Sequence, residues 1–358
     1  IKIEAVAPGY INFFLSTKKN YEQINKILNY KNDFAKNVTD KRNIHVEYVS
    51  ANPTGPLHIG HGRGMILGEI TARFLAYQGH QIKREYYVND AGRQIDLLLV
   101  SVVLSHIGKS MHVFVDEKEN KNGHMLTYKG SYVDDIASSL GNILKEIDQK
   151  LIMSLLDKPI DSLIQYLKER DDYLQIRKSL VDEILDNYIR KDLEAVGINF
   201  DSWYNESELY KNGILNEVLK IIKDKNLSYT KDGALWFKNT QFGDDKDRVL
   251  IKTNGDMTYF ATDIAYHVHK FKYHDVLVDI WGADHHDYAQ RLQTALKALG
   301  YNVESRLQIH LVQFANLSKS GQSISMSTRS GKFYPIQDLV NEIGKDATRF
   351  FYLIKRKE

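Results

Sequence analysis

Cysteine is absent. Disulfides and thiolate zinc sites are thereby excluded, and a reducing compartment fits. An excess of one charge is missing as well: 48 basic against 46 acidic residues leave a net charge of +2. Bulk charge therefore says little about partners, and any nucleic-acid surface has to come from local patches. No hydrophobic run is long enough to cross a bilayer. The most apolar stretch, Ile95 to Ile107, falls well short of the ~20 residues a span needs, and Asp96, Ser101, Ser105 and His106 interrupt it. No basic-then-apolar leader opens the sequence, so the expected location is cytoplasmic, with no membrane partner.

What is present is a globular composition, 43% hydrophobic and 26% charged over 358 residues. That is enough for two or three domains at the usual ~100–200 residues each. Ala5 to Ser16 carries a Pro-Gly turn signal and then β-branched and aromatic residues, which predicts a strand. Thr17 to Lys41 is polar, with Tyr21, Ile24, Ile27 and Leu28 at helical spacing. Ile44 to Val49 reads as a strand, His61 to Tyr77 as a helix ending near Gly79, and Ile82 to Val88 as a second strand. Strand, helix, strand in that order is the unit of a doubly wound parallel sheet, so the fold class is α/β and Rossmann-like.

From about 111 to 200 the periodicity turns helical, over Tyr132 to Leu155 and Ile160 to Ala195, and predicts a mostly helical insertion. The mixed pattern then returns. Arg248 to Thr253, Val276 to Ile280 and Ile309 to Phe314 predict strands; Asp263 to Phe271 and His286 to Leu299 predict helices. No internal repeat or low-complexity linker appears.

His58-Ile59-Gly60-His61 follows the first predicted strand and enters a helix. Two imidazoles there sit beside unpaired backbone N–H groups at the positive end of the dipole, a corner suited to polyphosphate. Gly60 lets a nucleotide approach the backbone, and the imidazoles can donate to phosphate oxygens as charge develops. A string of four residues can also arise by accident. Its place, after a strand and opening a helix, is where open α/β sheets bind ligands.

The run from Ser50 to Arg63, SANPTGPLHIGHGR, resembles the extended HIGH signature of arginyl-tRNA synthetases, which are class I synthetases. Tyr87 to Gln94 (YVNDAGRQ), Gly233 to Leu250, Thr258 to Ala265 (TYFATDIA) and Trp281 to His286 (WGADHH) match further family segments in the right order. The resemblance covers nearly the whole chain. It implies a class I synthetase core and an arginine–tRNA ligase that uses ATP, with magnesium as the triphosphate's counter-ion and L-arginine and tRNA(Arg) as partners. A monomer is expected.

The resemblance assigns the guanidinium to Glu47 and Asp263, with Tyr259 beside them, and places Asn52 and His285 at the α-amino and carboxylate end. Carboxylates are the natural partners of a planar, five-donor cation. Without the family, Asp263 reads more simply as a helix N-cap. For ATP the resemblance implies His58, Gly60, His61, Gly282 and Asp284, with Met326 and Ser327 in the second class signature. No dedicated metal site is expected.

That second signature, KMSKS, is altered. The matching run is Ser325-Met326-Ser327-Thr328-Arg329-Ser330-Gly331-Lys332, so both lysine positions are replaced. The lysine that some family members carry just before HIGH is also missing, because Gly55 stands there. Arg329 or Lys332 is the expected substitute cation. The loss also leaves open a non-catalytic, synthetase-like tRNA-binding protein. A small nucleotidylyltransferase shares the His-x-Gly-His corner but is shorter and lacks the Tyr259/Asp263 segment.

The expected division is as follows: 1–40, the remnant of an N-terminal tRNA-binding domain and a linker helix; 41–110 and 201–315, the two halves of the core; 111–200, the insertion; 316–340, the KMSKS-like region; 341–358, the start of a helical anticodon-binding domain. The resemblance also implies that adenylate forms only with tRNA bound.

Overall fold

The computed structural model describes residues 2–36, 39–112, 114, 127–313, 318–319, 322–323, 331 and 333–354. A hairpin opens the chain, with β1 (Lys2–Val6) antiparallel to β2 (Tyr10–Phe14). The single strand expected from Ala5 is thus two, because Pro8-Gly9 occupies the turn between them rather than preceding them. The helix α1 (Thr17–Tyr30) follows, with the Ser16 hydroxyl accepting from the Lys19 N–H.

The core begins with β3 (Asn43–Glu47), α2 (Ile59–Tyr77), β4 (Gln81–Val88) and α3 (Arg93–His106). The apolar stretch from Ile95 is therefore a buried helix of the core. The helical insertion is more broken than its periodicity predicts: α4 (Ser131–Ser139), α5 (Gly141–Leu144), α6 (Gln149–Leu155), α7 (Ile160–Lys168), α8 (Tyr173–Ile184) and α9 (Arg190–Ala195). A five-residue π turn, Leu185–Ile189, joins the last two.

After it come β5 (Ser202–Asn205), α10 (Glu206–Lys211) and α11 (Ile214–Asp224). Then β6 (Ser228–Lys231), β7 (Ala234–Phe237) and β8 (Arg248–Ile251) form a separate antiparallel sheet. The strand expected at Arg248 belongs to this sheet and not to the parallel one. The helix α12 (Tyr259–Phe271), β9 (Val276–Gly282), α13 (His286–Ala298), α14 (Val303–Arg306) and β10 (Leu307–Val312) complete the core. Two helices, α15 (Ile336–Ile343) and α16 (Lys345–Ile354), pack back toward it.

Five parallel strands run in the order β10-β9-β3-β4-β5. The chain leaves β3 to one side and later returns to its other side, so β3 and β9 flank the switch point where such sheets bind ligands. Period-two alternation divides the faces. Ile44, Val46, Val276, Val278 and Ile280 enter one core with α2, α3 and the insertion. The opposite face meets α12 in a second core that includes Leu277. On that second face the sheet also buries His45, Glu47, Glu85 and Asp279. Fully buried charges are expected to be paired or put to use.

Candidate active site

The strand β3 stops at Glu47, and Val49 and Ser50 adopt φ of 69° and 40°. Positive φ is uncommon for a β-branched valine and ends the ladder. The chain then swings over the carboxyl end of the sheet to His58, the N-cap of α2. There the Nδ1 of His58 accepts the Gly60 N–H at 3.1 Å, and the Nδ1 of His61 accepts the His58 N–H at 3.2 Å. Burial lowers the pKa of both rings; His61 falls to about 3, with His58 as the second cause. Both are therefore neutral near pH 7, and with Nδ1 accepting, each carries its proton on Nε2. Two N–H donors with ring centroids 4.0 Å apart thus stand at a helix N-terminus. A Cβ at position 60 would lie 2.8 Å from the His58 ring, so Gly60 makes room for this fold-back.

A cleft of about 380 Å³ opens on His58 and His61. It adjoins a larger one of about 510 Å³, and Asn52, Gln94, Gly282 and His285 border both. A notch of about 60 Å³ lies between Gly60, His61 and Gly64 on α2 and Trp281-Gly282 at the end of β9.

The larger cleft is lined by Glu47, Glu206, Tyr259, Asp263 and Tyr288 among others. Thr258 caps α12, accepting from Ala261 N–H, so Asp263 is a second-turn residue and not the N-cap. Tyr259, Asp263, His267 and Lys270 follow at steps of four, four and three along α12, one helical face. The Tyr288 hydroxyl donates to Asp263. Lys270 Nζ donates to Glu47 Oε2 at 2.8 Å and to Asp279 Oδ1 at 3.0 Å. His267 Nε2 meets Asp279 Oδ2 at 2.9 Å.

These contacts set the charge of the cleft. Burial works against Lys270, but Asp279 and Glu47 outweigh it and raise the ammonium. Burial also opposes Asp279, yet Lys270 and His267 hold its carboxyl below the ordinary range. Glu47 is raised by burial, with Lys270 opposing. Asp263 is raised by burial, the Tyr288 bond opposing. Burial, then Asp263, push Glu206 up to about 7.

Of the sequence-expected residues, Glu47, Asn52, Tyr259, Asp263, Gly282 and His285 share the larger cleft, and His58 and His61 face the adjoining one. Asp284 is exposed, 3.8 Å from His285, and lines neither. Met326, Ser327, Arg329 and Lys332 lie outside the described residues. Sequence reasoning missed Glu206, Tyr288, His267 and Lys270. The polar stripe on the otherwise buried face of α12 was a usable signal for two of these. Glu206 follows a four-residue strand too short to announce itself.

A switch-point cleft whose wall is a His-x-Gly-His helix start fits a class I tRNA synthetase core, and the family model decides between it and the nucleotidylyltransferases that share the corner. The family model described as tRNA synthetases class I (R), catalytic domain, matches residues 23–358, and the chain belongs to that family, the arginine one. It is 40% identical to the arginine–tRNA ligase of Vesicomyosocius okutanii over 99% of this chain and 63% of that protein. With the arginine–tRNA ligase of Legionella pneumophila (strain Paris) it shares 41% identity over 100% of this chain and 62% of that one. The chain thus spans less than two thirds of the length of these curated relatives. Among solved structures, a putative arginyl-tRNA synthetase from Campylobacter jejuni superposes with a TM-score of 0.76 at 35% identity, covering 96% of this chain and 70% of the other. The Thermus thermophilus arginyl-tRNA synthetase, at 18% identity and a TM-score of 0.60, covers 98% and 63% and supports the fold. Among the described residues no helix is long and apolar enough to cross a membrane.

Proposed function

We propose that the protein carrying this chain activates L-arginine with ATP and transfers the arginyl group to the 3′ end of tRNA(Arg). The observation that carries the substrate is the charge of the cleft. Glu47, Glu206 and Asp263 line it, and all three carboxyls sit above their ordinary values. An entering cation relieves all three. Asp263 on α12 and Glu206 at the start of α10 present acceptors from two elements, which suits a planar fork of N–H donors better than a point charge. A neutral side chain would leave these acids unpaired. Lys270 already engages Glu47, so Glu47 serves the guanidinium as a secondary partner, and Tyr259 covers the mouth.

In this scheme the arginine carboxylate attacks the α-phosphorus of ATP, a P–O bond to pyrophosphate breaks, and the adenylate forms. Asn52 and His285 orient the α-amino and carboxylate end. The Nε2–H groups of His58 and His61 bond α-phosphate oxygens as negative charge grows there. Gly60 and Gly282 border the notch against which the nucleoside sits, and Asp284, Met326 and Ser327 are the further nucleotide contacts that the family resemblance implies. Arg329 and Lys332 meet the leaving pyrophosphate; their motivation is the basic Arg329-Ser330-Gly331-Lys332 run. The corner supplies N–H donors and no oxygen ligands, so it suits the phosphates, and magnesium arrives on the triphosphate's own oxygens and water. The tRNA ribose hydroxyl then attacks the adenylate carbonyl. We further propose a cytoplasmic monomer.

The test is arginine-dependent ATP–pyrophosphate exchange by the full-length protein, with and without tRNA(Arg), using lysine and glutamine as controls. Exchange is expected only with arginine and tRNA(Arg) together. Folded protein that binds tRNA but gives no exchange would favour a non-catalytic role. Alanine at both Arg329 and Lys332 is expected to slow activation; an unchanged rate removes them from the scheme.

A further inference from the structure

His58 is held by its neighbours. The residues on either side of it, Leu57 and Ile59, are almost fully buried, at 1% and 0% exposure. All four of their backbone polar groups bond to distant elements. The Leu57 N–H donates to Asp192 Oδ2 at 2.7 Å, and the Leu57 carbonyl accepts from Ile336 N–H at 3.0 Å. The Ile59 N–H donates to the Tyr334 carbonyl at 3.1 Å, and the Ile59 carbonyl accepts from the Tyr352 hydroxyl at 2.7 Å. Two of the four partners are buried side chains from outside the nucleotide-binding half. Asp192 lies on α9 of the insertion and Tyr352 on α16.

We propose that Asp192 and Tyr352 are positioning residues for the ATP corner, fixing the peptide units on both sides of His58 so that its Nε2–H meets the α-phosphate. This rests on the function proposed above and names two residues that act through His58.

Three observations favour the role. A carboxylate is an expensive way to satisfy one N–H in the interior, because a backbone carbonyl would serve without a charge to desolvate. Burial, with Asp338 of α15 adding, raises Asp192 to about 7. Such costs concentrate where geometry has to be held. The other two bonds come from Tyr334 and Ile336, which follow the 324–332 segment that carries Arg329 and Lys332. Tyr334 to Ile336 and the peptides around His58 therefore share one hydrogen-bonded frame, in which His58 also pairs with Pro335. Finally, Gly62 leaves the space that the Tyr352 ring fills; a Cβ there would lie 2.3 Å from it.

The test compares full-length wild type with D192A, D192N and Y352F in arginine- and tRNA-dependent ATP–pyrophosphate exchange. Arginine binding is followed separately by calorimetry. D192A and Y352F are expected to lower kcat roughly ten- to hundred-fold through misplacement of His58, with arginine affinity held. D192N, which keeps an acceptor oxygen, is expected to recover most of the rate. Wild-type kcat in both D192A and Y352F would overturn the proposal. So would a kcat loss matched by equal losses of arginine affinity and melting temperature, the mark of general loosening. If D192A does not fold, Y352F, which removes one oxygen, decides alone. If wild type itself gives no exchange, the function falls, and histidine ¹⁵N shifts then judge the positioning. A changed His58 tautomer in Y352F supports it, and a wild-type spectrum overturns it.

Discussion

His61 folds back onto the peptide of His58, and in both rings the Nδ1 accepts a backbone N–H. The Nδ1 of His61 takes the His58 backbone N–H while His58 folds its own Nδ1 onto Gly60 N–H. Both rings are thereby committed as neutral Nε2–H donors. Burial lowers both pKa values, His61 to about 3, so the His61 ring has no charge to lose between pH 6 and 8. Activity carried by His61 is expected to show no downward step across that interval, and ¹⁵N spectra are expected to show unprotonated Nδ1 on both rings. Replacing His61 with alanine should lower kcat by roughly 10²–10³, the usual loss for one transition-state donor, with little change in arginine KM. A protonated imidazolium resonance at pH 7 would sink this assignment.

Glu206 gives the site a pH dependence. Its carboxyl, pushed up to about 7, is half protonated in the empty cleft at neutral pH. A guanidinium beside it favours the ionised form, so binding releases a proton below that value. Arginine affinity is therefore expected to rise with pH toward 7, by up to about tenfold per unit, and then level off. In E206Q the slope should vanish and affinity should fall. Calorimetry in buffers of different ionisation enthalpy measures the released proton directly. Binding without proton release at pH 6 would show that Glu206 is not the group that answers the cation.

The parallel sheet was legible because its strands end in turn signals and alternate with helices at the expected period, as β3, α2 and β4 do. The His corner was legible because four adjacent residues carry it. The carboxylate cleft was only half legible. Asp263 could be read, but its alternative as an N-cap fell only when Thr258 was seen to hold that place. Glu206 is brought in by a strand pairing with β4 that depends on register between positions 117 apart in the sequence, as its neighbour's bond from Ser207 N–H to Asp90 illustrates. Periodicity does not report such non-local contacts. The breaks between the insertion's helices likewise follow tertiary packing, which overrides a continuous amphipathic pattern.

Lys270 neutralises the floor of the cleft, and its removal leaves Asp279 buried at 0% exposure without its cation. K270M is expected to destabilise the fold by about 3–5 kcal/mol at pH 7.5, the usual loss when a buried pair is broken. The sign with pH follows from Asp279. Its folded-state pKa is depressed, so its contribution is complete above the ordinary carboxyl value of 3.8 and is lost as pH falls through the folded one. In K270M the lowering cause is gone, Asp279 titrates higher, and the deficit should shrink as the pH is brought down. Chemical denaturation at pH 7.5 and 5.5 tests this. Equal stability of K270M and wild type at pH 7.5 would mean that Lys270 is dispensable to the floor.

Gly62 and Tyr352 make the sharpest case for coupling between α2 and α16. Glycine inside a helix is ordinarily a weakness, and alanine there stabilises by about 1 kcal/mol. At position 62 the sign reverses, because the new Cβ would lie 2.3 Å from the Tyr352 ring. That ring cannot swing away cheaply, since it is 9% exposed and its hydroxyl is tied to the Ile59 carbonyl at 2.7 Å. G62A is therefore expected to cost about 1–3 kcal/mol, the range for overpacking a filled interior. Y352A removes the obstacle at its own cost in lost burial. On that background the methyl group added at position 62 no longer meets the ring, and helix propensity alone should decide, turning the same substitution neutral or stabilising. A double-mutant cycle in thermal unfolding reads the reversal directly. If G62A costs as much in Y352A as in wild type, α16 does not press on the first turn of α2, and the frame around His58 loses one of its two outer supports.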